Sequence, residues 1–204
     1  MWASRQGASR GTRAPRGTSY GSAPDSVTTP PTDLRPEQPA AVPASGDALR
    51  RALRDLPTPV VVVTTEAGGE PRGATIGSFT SVSLDPPLVS FNVTHGSALH
   101  RALGQGGGWA VHLLAASQAD LAEHFARPDL GGADQLAPFP HVPGSPPLLR
   151  GALAVLLCAP HARFEAGDHT VFVGRVTGLV EGAGREPLLY YRQSYRGVGE
   201  PVAR

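Results

Sequence analysis

The chain has 204 residues, 40% of them hydrophobic and 17% charged, with a formal net charge of +1; that suffices for one ordinary domain plus an extension, or for two very small domains. All 18 basic residues are arginine, which excludes a pyridoxal-phosphate Schiff base and a Walker-type phosphate loop, since both need lysine. The near-neutral charge argues against a dedicated nucleic-acid binder. The single cysteine, Cys158, makes no internal disulfide, zinc knuckle or iron–sulfur site, and its place in the apolar run 153–158 reads as a small buried hydrophobe. No run reaches the roughly 18 apolar residues of a membrane span, and the N-terminus lacks the apolar core of a secretion signal. These features point to the cytoplasm.

Residues 1–45 are Gly, Pro, Ser, Thr and Arg with almost no periodic apolar positions. Such a stretch buries too little surface to offset its ordering entropy, so it reads as a disordered extension. Its Arg-Gly pairs at 10–11 and 16–17 admit RNA contact as a minor alternative. Order is expected from residue 46 to residue 204. Ser45 or Asp47 can cap a helix over 48–56, with Leu49, Leu53 and Leu56 on one face, and Pro57 and Pro59 stop it. Strands are expected over 59–65, 75–83, 88–94, 109–114, 152–164 and 170–180, the last two joined as a hairpin through Glu165-Ala166-Gly167-Asp168. Two short helices are expected, one over 97–103 and one from Ser117, in a capping-box arrangement with Asp120, to Ala126. The class is mainly β with short helices. Few connections are long enough for βαβ crossovers, which favours a largely antiparallel barrel.

One stretch stands out chemically. Thr75, Ser78, Thr80, Ser81 and Ser83 place five hydroxyls in nine residues. Hydroxyls and backbone N–H groups hold phosphate without lysine, and Gly77 inside a strand marks a bulge or the close approach of another group. The same composition also fits an exposed strand. Other patterns are weaker: His95 and His100 are badly spaced for one helical face, His124 and His141 lack a carboxylate cluster, and no Ser lies in a Gly-x-Ser-x-Gly elbow. The run Gly104-Gln105-Gly106-Gly107-Gly108 precedes a strand instead of opening a helix, so it is no dinucleotide fingerprint. No metal site is expected.

The segment Ser78-Phe79-Thr80-Ser81-Val82-Ser83-Leu84-Asp85-Pro86-Pro87-Leu88-Val89-Ser90 resembles the signature of the flavin reductase-like family, whose fold is the FMN-binding split β-barrel. The likeness continues in order through Trp109–Ala115, Gln118 and 121–125, Pro147–Cys158, Gly167-Asp168-His169-Thr170, Val173–Val176 and Pro187–Arg192. It covers about residues 49–195.

The resemblance implies a homodimer in which each domain takes FMN or FAD and receives a hydride from NADH or NADPH at flavin N5, then passes reduced flavin to a partner monooxygenase. It also implies site residues. Thr75, Ile76, Gly77, Ser78, Phe79, Thr80 and Ser81 would wrap the ribityl chain and phosphate. Asp85, Pro86, Pro87 and Leu88 would line the next stretch of flavin, and Ser97 would add a phosphate contact at a helix start. Tyr195 would complete the cofactor site, and His169 would lie where nicotinamide stacks on flavin. Without the resemblance, His169 reads as a turn histidine bonded to Asp168. The chain departs from the family pattern at Gly77, where a hydroxyl is lost, and at His112, where the family strand carries Asn. Two alternatives share the fold: a protein with tightly bound FMN acting on another substrate, and a non-catalytic flavin-binding module.

Overall fold

The structure, a computed structural model, describes residues 41, 43–182 and 186–200. The expected extension over 1–45 lies almost wholly outside the described residues. Its last residue, Ser45, caps the first helix, α1 (Gly46–Leu53), by accepting a hydrogen bond from Ala48 N at 3.1 Å. Asp47 in the first turn and Arg50 and Arg51 in the last complement the helix dipole. The expected apolar face is real but unburied: Leu49, Leu53 and Leu56 are each at least half exposed in the single chain.

Among the described residues twelve strands follow: β1 (Thr58–Pro59), β2 (Val61–Ala67), β3 (Glu70–Ile76), β4 (Thr80–Leu84), β5 (Pro87–Thr94), β6 (Trp109–Leu113), β7 (His141–Val142), β8 (Leu148–Leu149), β9 (Ala154–Ala166), β10 (His169–Glu181), β11 (Leu189–Tyr191) and β12 (Ser194–Arg196). Helix α2 (Ala98–Leu103) links β5 to β6, and α3 (Ala119–Phe125) and α4 (Gly132–Leu136) follow β6. The strand pairings are antiparallel, as expected. Seven strands form one sheet in the order β3-β2-β6-β9-β10-β5-β4. Its two edges, β3 and β4, are consecutive in sequence, so residues 77–79 must carry the chain from one edge to the other, and the sheet curls into a barrel. The single strand expected over 75–83 is therefore two strands separated by a bend, and β3 starts earlier, at Glu70. Ser78 fixes the bend by accepting from Asn92 N of β5 at 2.9 Å.

Local chemistry explains two other differences. Ser117 does not cap α3; it lies inside a 3-10 turn (Ala116–Gln118), and Gln118 instead accepts from Ala115 N at 3.1 Å and donates to Arg150 O at 3.0 Å. Helix α4 was not expected. It is tied to the sheet by Gln135, whose amide accepts from Gly73 N and donates to Gly73 O, both at 2.9 Å. That side chain imitates a neighbouring strand and covers one step of the β3 edge.

The run Val60–Val63 is buried throughout because alternate residues enter two cores. Val61 and Val63 face the barrel interior with Phe91, Trp109, Leu156 and Phe172. Val60 and Val62 face a second layer with Leu121, Phe125, Leu136 and Leu149. Gly174 is dictated by packing: a Cβ there would stand 2.6 Å from Trp109 Cζ2. Cys158 is buried as expected, and burial pushes its thiol up to about 12.

His112 is fully buried. Its Nδ1–H donates to Val62 O at 3.0 Å and its Nε2 accepts from Leu149 N at 3.0 Å, so the ring is neutral and stitches β2, β6 and β8 together. Burial lowers its pKa from 6.5 to about 4. Both nitrogens are spent inside the protein, and no flavin contact of the family's Asn type is available at this position. The unfolded chain binds a proton at this ring near pH 6.5, and the folded chain only near pH 4, so the ring's contribution is intact above about pH 6.5 and is lost as pH falls toward 4. Denaturant titrations between pH 7 and 4 should show this as a loss of about 3 kcal/mol. His112→Leu should lose about 2–4 kcal/mol at pH 7, because it orphans Val62 O and Leu149 N, and should flatten the slope over that window.

Candidate functional site

Strand β3 and the bend after it form the wall of two neighbouring cavities that share Ala126 in their linings. The first, of about 210 Å³, is lined by Thr58, Val60, Thr75, Ile76, Gly77, Ala126, Tyr190 and Tyr195. It brings together four residues that the resemblance implicates, Thr75, Ile76, Gly77 and Tyr195. Tyr190 and Tyr195, paired across β11 and β12, meet edge to face with ring centroids 5.3 Å apart. Partial burial raises the Tyr195 hydroxyl's pKa, so it is a neutral donor at physiological pH.

The second cavity, of about 370 Å³, is lined by the middle of β3 (Gly73, Ala74), by the start of α2 with Ser97, and by the segment after α3. Two guanidinium groups, Arg101 and Arg127, reach its wall, and no carboxylate does. Arg101 donates to Gly96 O. Arg127 pairs with Asp129 at 2.8 Å, which holds that carboxyl below its usual range. Ser97 caps α2, its hydroxyl oxygen accepting from His100 N at 3.1 Å, which leaves the O–H able to donate.

The hydroxyl-rich segment is more committed to the fold than its composition suggests. Thr75 donates to Ala122 O of α3 at 2.6 Å, and Ser78 closes the barrel. Phe79 packs on the barrel core. Thr80 and Ser81 are exposed on β4, and Thr80 bonds to Ser81 O at 3.3 Å. Asp85 and Pro86, joined by a cis bond, form the β4–β5 turn, Pro87 and Leu88 open β5, and all four line neither of these two cavities.

His169 opens β10 beside the hairpin turn. Its Nδ1 lies 2.7 Å from Asp168 Oδ1 and its Nε2 3.0 Å from Thr94 Oγ1. A carboxylate only accepts, so Nδ1 carries a proton and donates to Asp168, while Nε2 shares a hydrogen bond with the Thr94 hydroxyl. The same contact holds the Asp168 carboxyl below its usual range. Both ring nitrogens are thus occupied in the ring plane, and the side chain remains more than a third exposed. His169 lines neither cavity; Thr94 links it to Gly96 and Ser97 on the rim of the second. Behind it, Glu165 accepts from His95 Nε2 at 2.7 Å and from Thr170 Oγ1 at 3.1 Å, and Thr170 in turn meets His100 Nε2 at 2.9 Å. This chain of bonds clamps the β9–β10 hairpin to the β5–α2 connection. Among the described residues no His, Cys, Asp or Glu cluster could hold a metal ion, and no helix is long and apolar enough to cross a membrane.

Thr58, Tyr190, Arg101 and Arg127 escaped the sequence reading. Arg101 carried a usable signal, one helical turn beyond the Ser97 cap. The others meet β3 only through tertiary structure.

A profile described as the flavin reductase like domain matches residues 53–199. Over 154 residues the chain is 44% identical to an NADH-dependent FAD reductase of Streptomyces globisporus, covering 72% of this chain and 83% of that protein. It is 37% identical over 156 residues to the reductase component of 4-hydroxyphenylacetate 3-monooxygenase of Thermus thermophilus, covering 76% and 98%. Among solved structures, the S. globisporus C-1027 NADH:FAD oxidoreductase SgcE6 in complex with NAD and FAD fragments superposes with a TM-score of 0.70 at 41% identity, covering 78% of this chain and 94% of that one. The fold is the split barrel of those enzymes, and the chain belongs to the flavin reductase-like family.

Proposed function

We propose that the protein is an NADH-dependent flavin reductase that takes FMN or FAD along β3 and releases reduced flavin to a separate monooxygenase. The carrying observation is the polarity of the paired cavities: two arginines in the lining of one, Arg101 and the Asp129-paired Arg127, and mostly apolar and aromatic walls in the other. A flavin has the matching polarity, with a phosphate at one end and a planar ring at the other. Relatives named as NADH-dependent FAD and FMN reductases, and as reductase components of monooxygenases, support both the reaction and the choice of NADH. A cytoplasmic setting suits a protein drawing on the NADH pool.

The bound flavin supplies the two-electron acceptor; the chain supplies binding and orientation. Arg101 and Arg127 neutralise the phosphate. Val60, Ile76 and Tyr195 present apolar surface to the ring and exclude water from it. His169, with its nitrogens engaged by Asp168 and Thr94, stands beside the rim of the second cavity and offers the dinucleotide a ring face there, not a proton. The clamp built on Glu165 keeps that face in place.

We also propose that two copies pair through the end of the sheet where β4, β5 and β10 meet. Val82 and Leu84 of β4 are 53% and 91% exposed, and Leu179 and Val180 of β10 lie half exposed at the same end, beyond the Leu88–Arg175 pair. An apolar group this open in a single chain favours burial against a partner.

The function is tested by crossing NADH and NADPH with riboflavin, FMN and FAD in a steady-state assay. Turnover with NADH is expected, and its absence with all three flavins contradicts the reading. Three variants test its parts. His169→Ala should lower kcat/KM for NADH about tenfold while leaving flavin affinity within about twofold. Arg101→Ala should weaken FMN binding about ten- to a hundredfold and leave riboflavin, which has no phosphate, nearly unchanged. Leu84→Glu should shift sedimentation from twice the 21.1 kDa chain mass to a single chain.

A further inference from the structure

Gly77 is not required by its own backbone: it is absent from the glycines with positive φ, which include Gly68, Gly69 and Gly96. A neighbour crowds the space beside it. A Cβ built at Gly77 would stand 3.2 Å from Thr58 Oγ1 and 3.8 Å from Thr58 Cβ. The two residues come from different sheets. Thr58 belongs to β1, held opposite Tyr190 of β11, and Gly77 follows β3 of the barrel sheet as the first residue of the bend. They face each other across the wall of the same cavity. The neighbouring hydroxyls of the bend are already engaged inside the protein: Thr75 donates to Ala122 O at 2.6 Å, and Ser78 accepts from Asn92 N at 2.9 Å with its Oγ 3.5 Å from Asn92 O. Thr58 Oγ1 has no hydrogen-bond partner among the described residues, although its side chain is half-buried at the cavity.

We infer that Thr58 is a cofactor-binding residue whose hydroxyl occupies the space a side chain at 77 would fill and donates a hydrogen bond to a polar atom of the bound flavin. This rests on the flavin reading above. It explains how a chain with glycine at the bend still presents a hydroxyl there, borrowed from a strand some twenty residues earlier in the sequence. It also couples residues 58 and 77: a side chain at 77 fits beside Thr58 only if the Thr58 hydroxyl gives way.

The test is titration of FMN and of FAD, followed by quenching of flavin fluorescence, with melting temperature recorded for each variant. Thr58→Val keeps the β-branched shape and removes only the hydroxyl; it should bind flavin about five- to tenfold more weakly with an unchanged melting temperature. Thr58→Ser keeps the hydroxyl and should stay within about twofold of the native chain. Gly77→Ser alone crowds Thr58 and should weaken binding, whereas Thr58→Ala with Gly77→Ser moves the hydroxyl across the cavity and should recover most of the affinity lost by Thr58→Ala. Native-like binding by Thr58→Val, equal losses for Thr58→Ser and Thr58→Val, or no recovery in the double variant would each overturn the inference while leaving the reductase reading intact. Failure of the native chain to bind either flavin would instead overturn the reading on which it rests.

Discussion

A sheet whose first and last strands are neighbours in sequence has to return on itself, and everything functional in this molecule follows from how that return is made. Three residues, Gly77, Ser78 and Phe79, carry the chain from β3 at one edge to β4 at the other. Phe79 anchors the crossing in the barrel core and Ser78 bonds it to β5. The bend cannot continue a regular ladder, so its inner side stays open. The open wall along β3 becomes the cavity floor, and α3, with Thr75 bonded to its Ala122 carbonyl, is fastened beside it. Barrel closure and the binding site are the same local event.

The chemistry asked of the protein is correspondingly light. The reacting groups belong to a flavin and a nicotinamide, and the chain has to hold two planar rings in register, keep water out, and fix a phosphate. That explains why no nucleophile, carboxylate pair or metal cluster organises the described residues, and why the buried titratable groups are structural. His112 is a neutral pin between strands, and Cys158 is an inert core residue. The more elaborate polar array, from His95 through Glu165 and Thr170 to His100, sits behind the His169 turn, where geometric constraint is what a stacking residue needs.

Much of the architecture could be read before any coordinates. The valine run, the Gly68-Gly69 turn and the long hairpin ending at Gly167-Asp168 all carry local signals that tertiary packing reinforces. What escaped had no local signal. The bend at 77–79 sits in a stretch of uniformly strand-prone residues, and only the edge-to-edge topology breaks it. Helix α4 is held by Gln135 reading the backbone of Gly73, a contact sixty-two positions away. Thr75, Ile76, Gly77 and Tyr195, which the family likeness names, line one cavity, but the likeness could not show that the fold already engages the Thr75 and Ser78 hydroxyls. Nor could it bring in Thr58 from another sheet. Hydroxyl count was a poor guide to hydroxyl availability.

The most direct test of this account is an experimental structure of the protein with FMN. The account requires the flavin to span the two cavities across Ala126, its phosphate against Arg101 and Arg127 and its ring between the Gly77 bend and Tyr195. A flavin seated elsewhere, along the β4–β5 turn at Asp85–Leu88 with the β3 cavities filled by solvent, would contradict it.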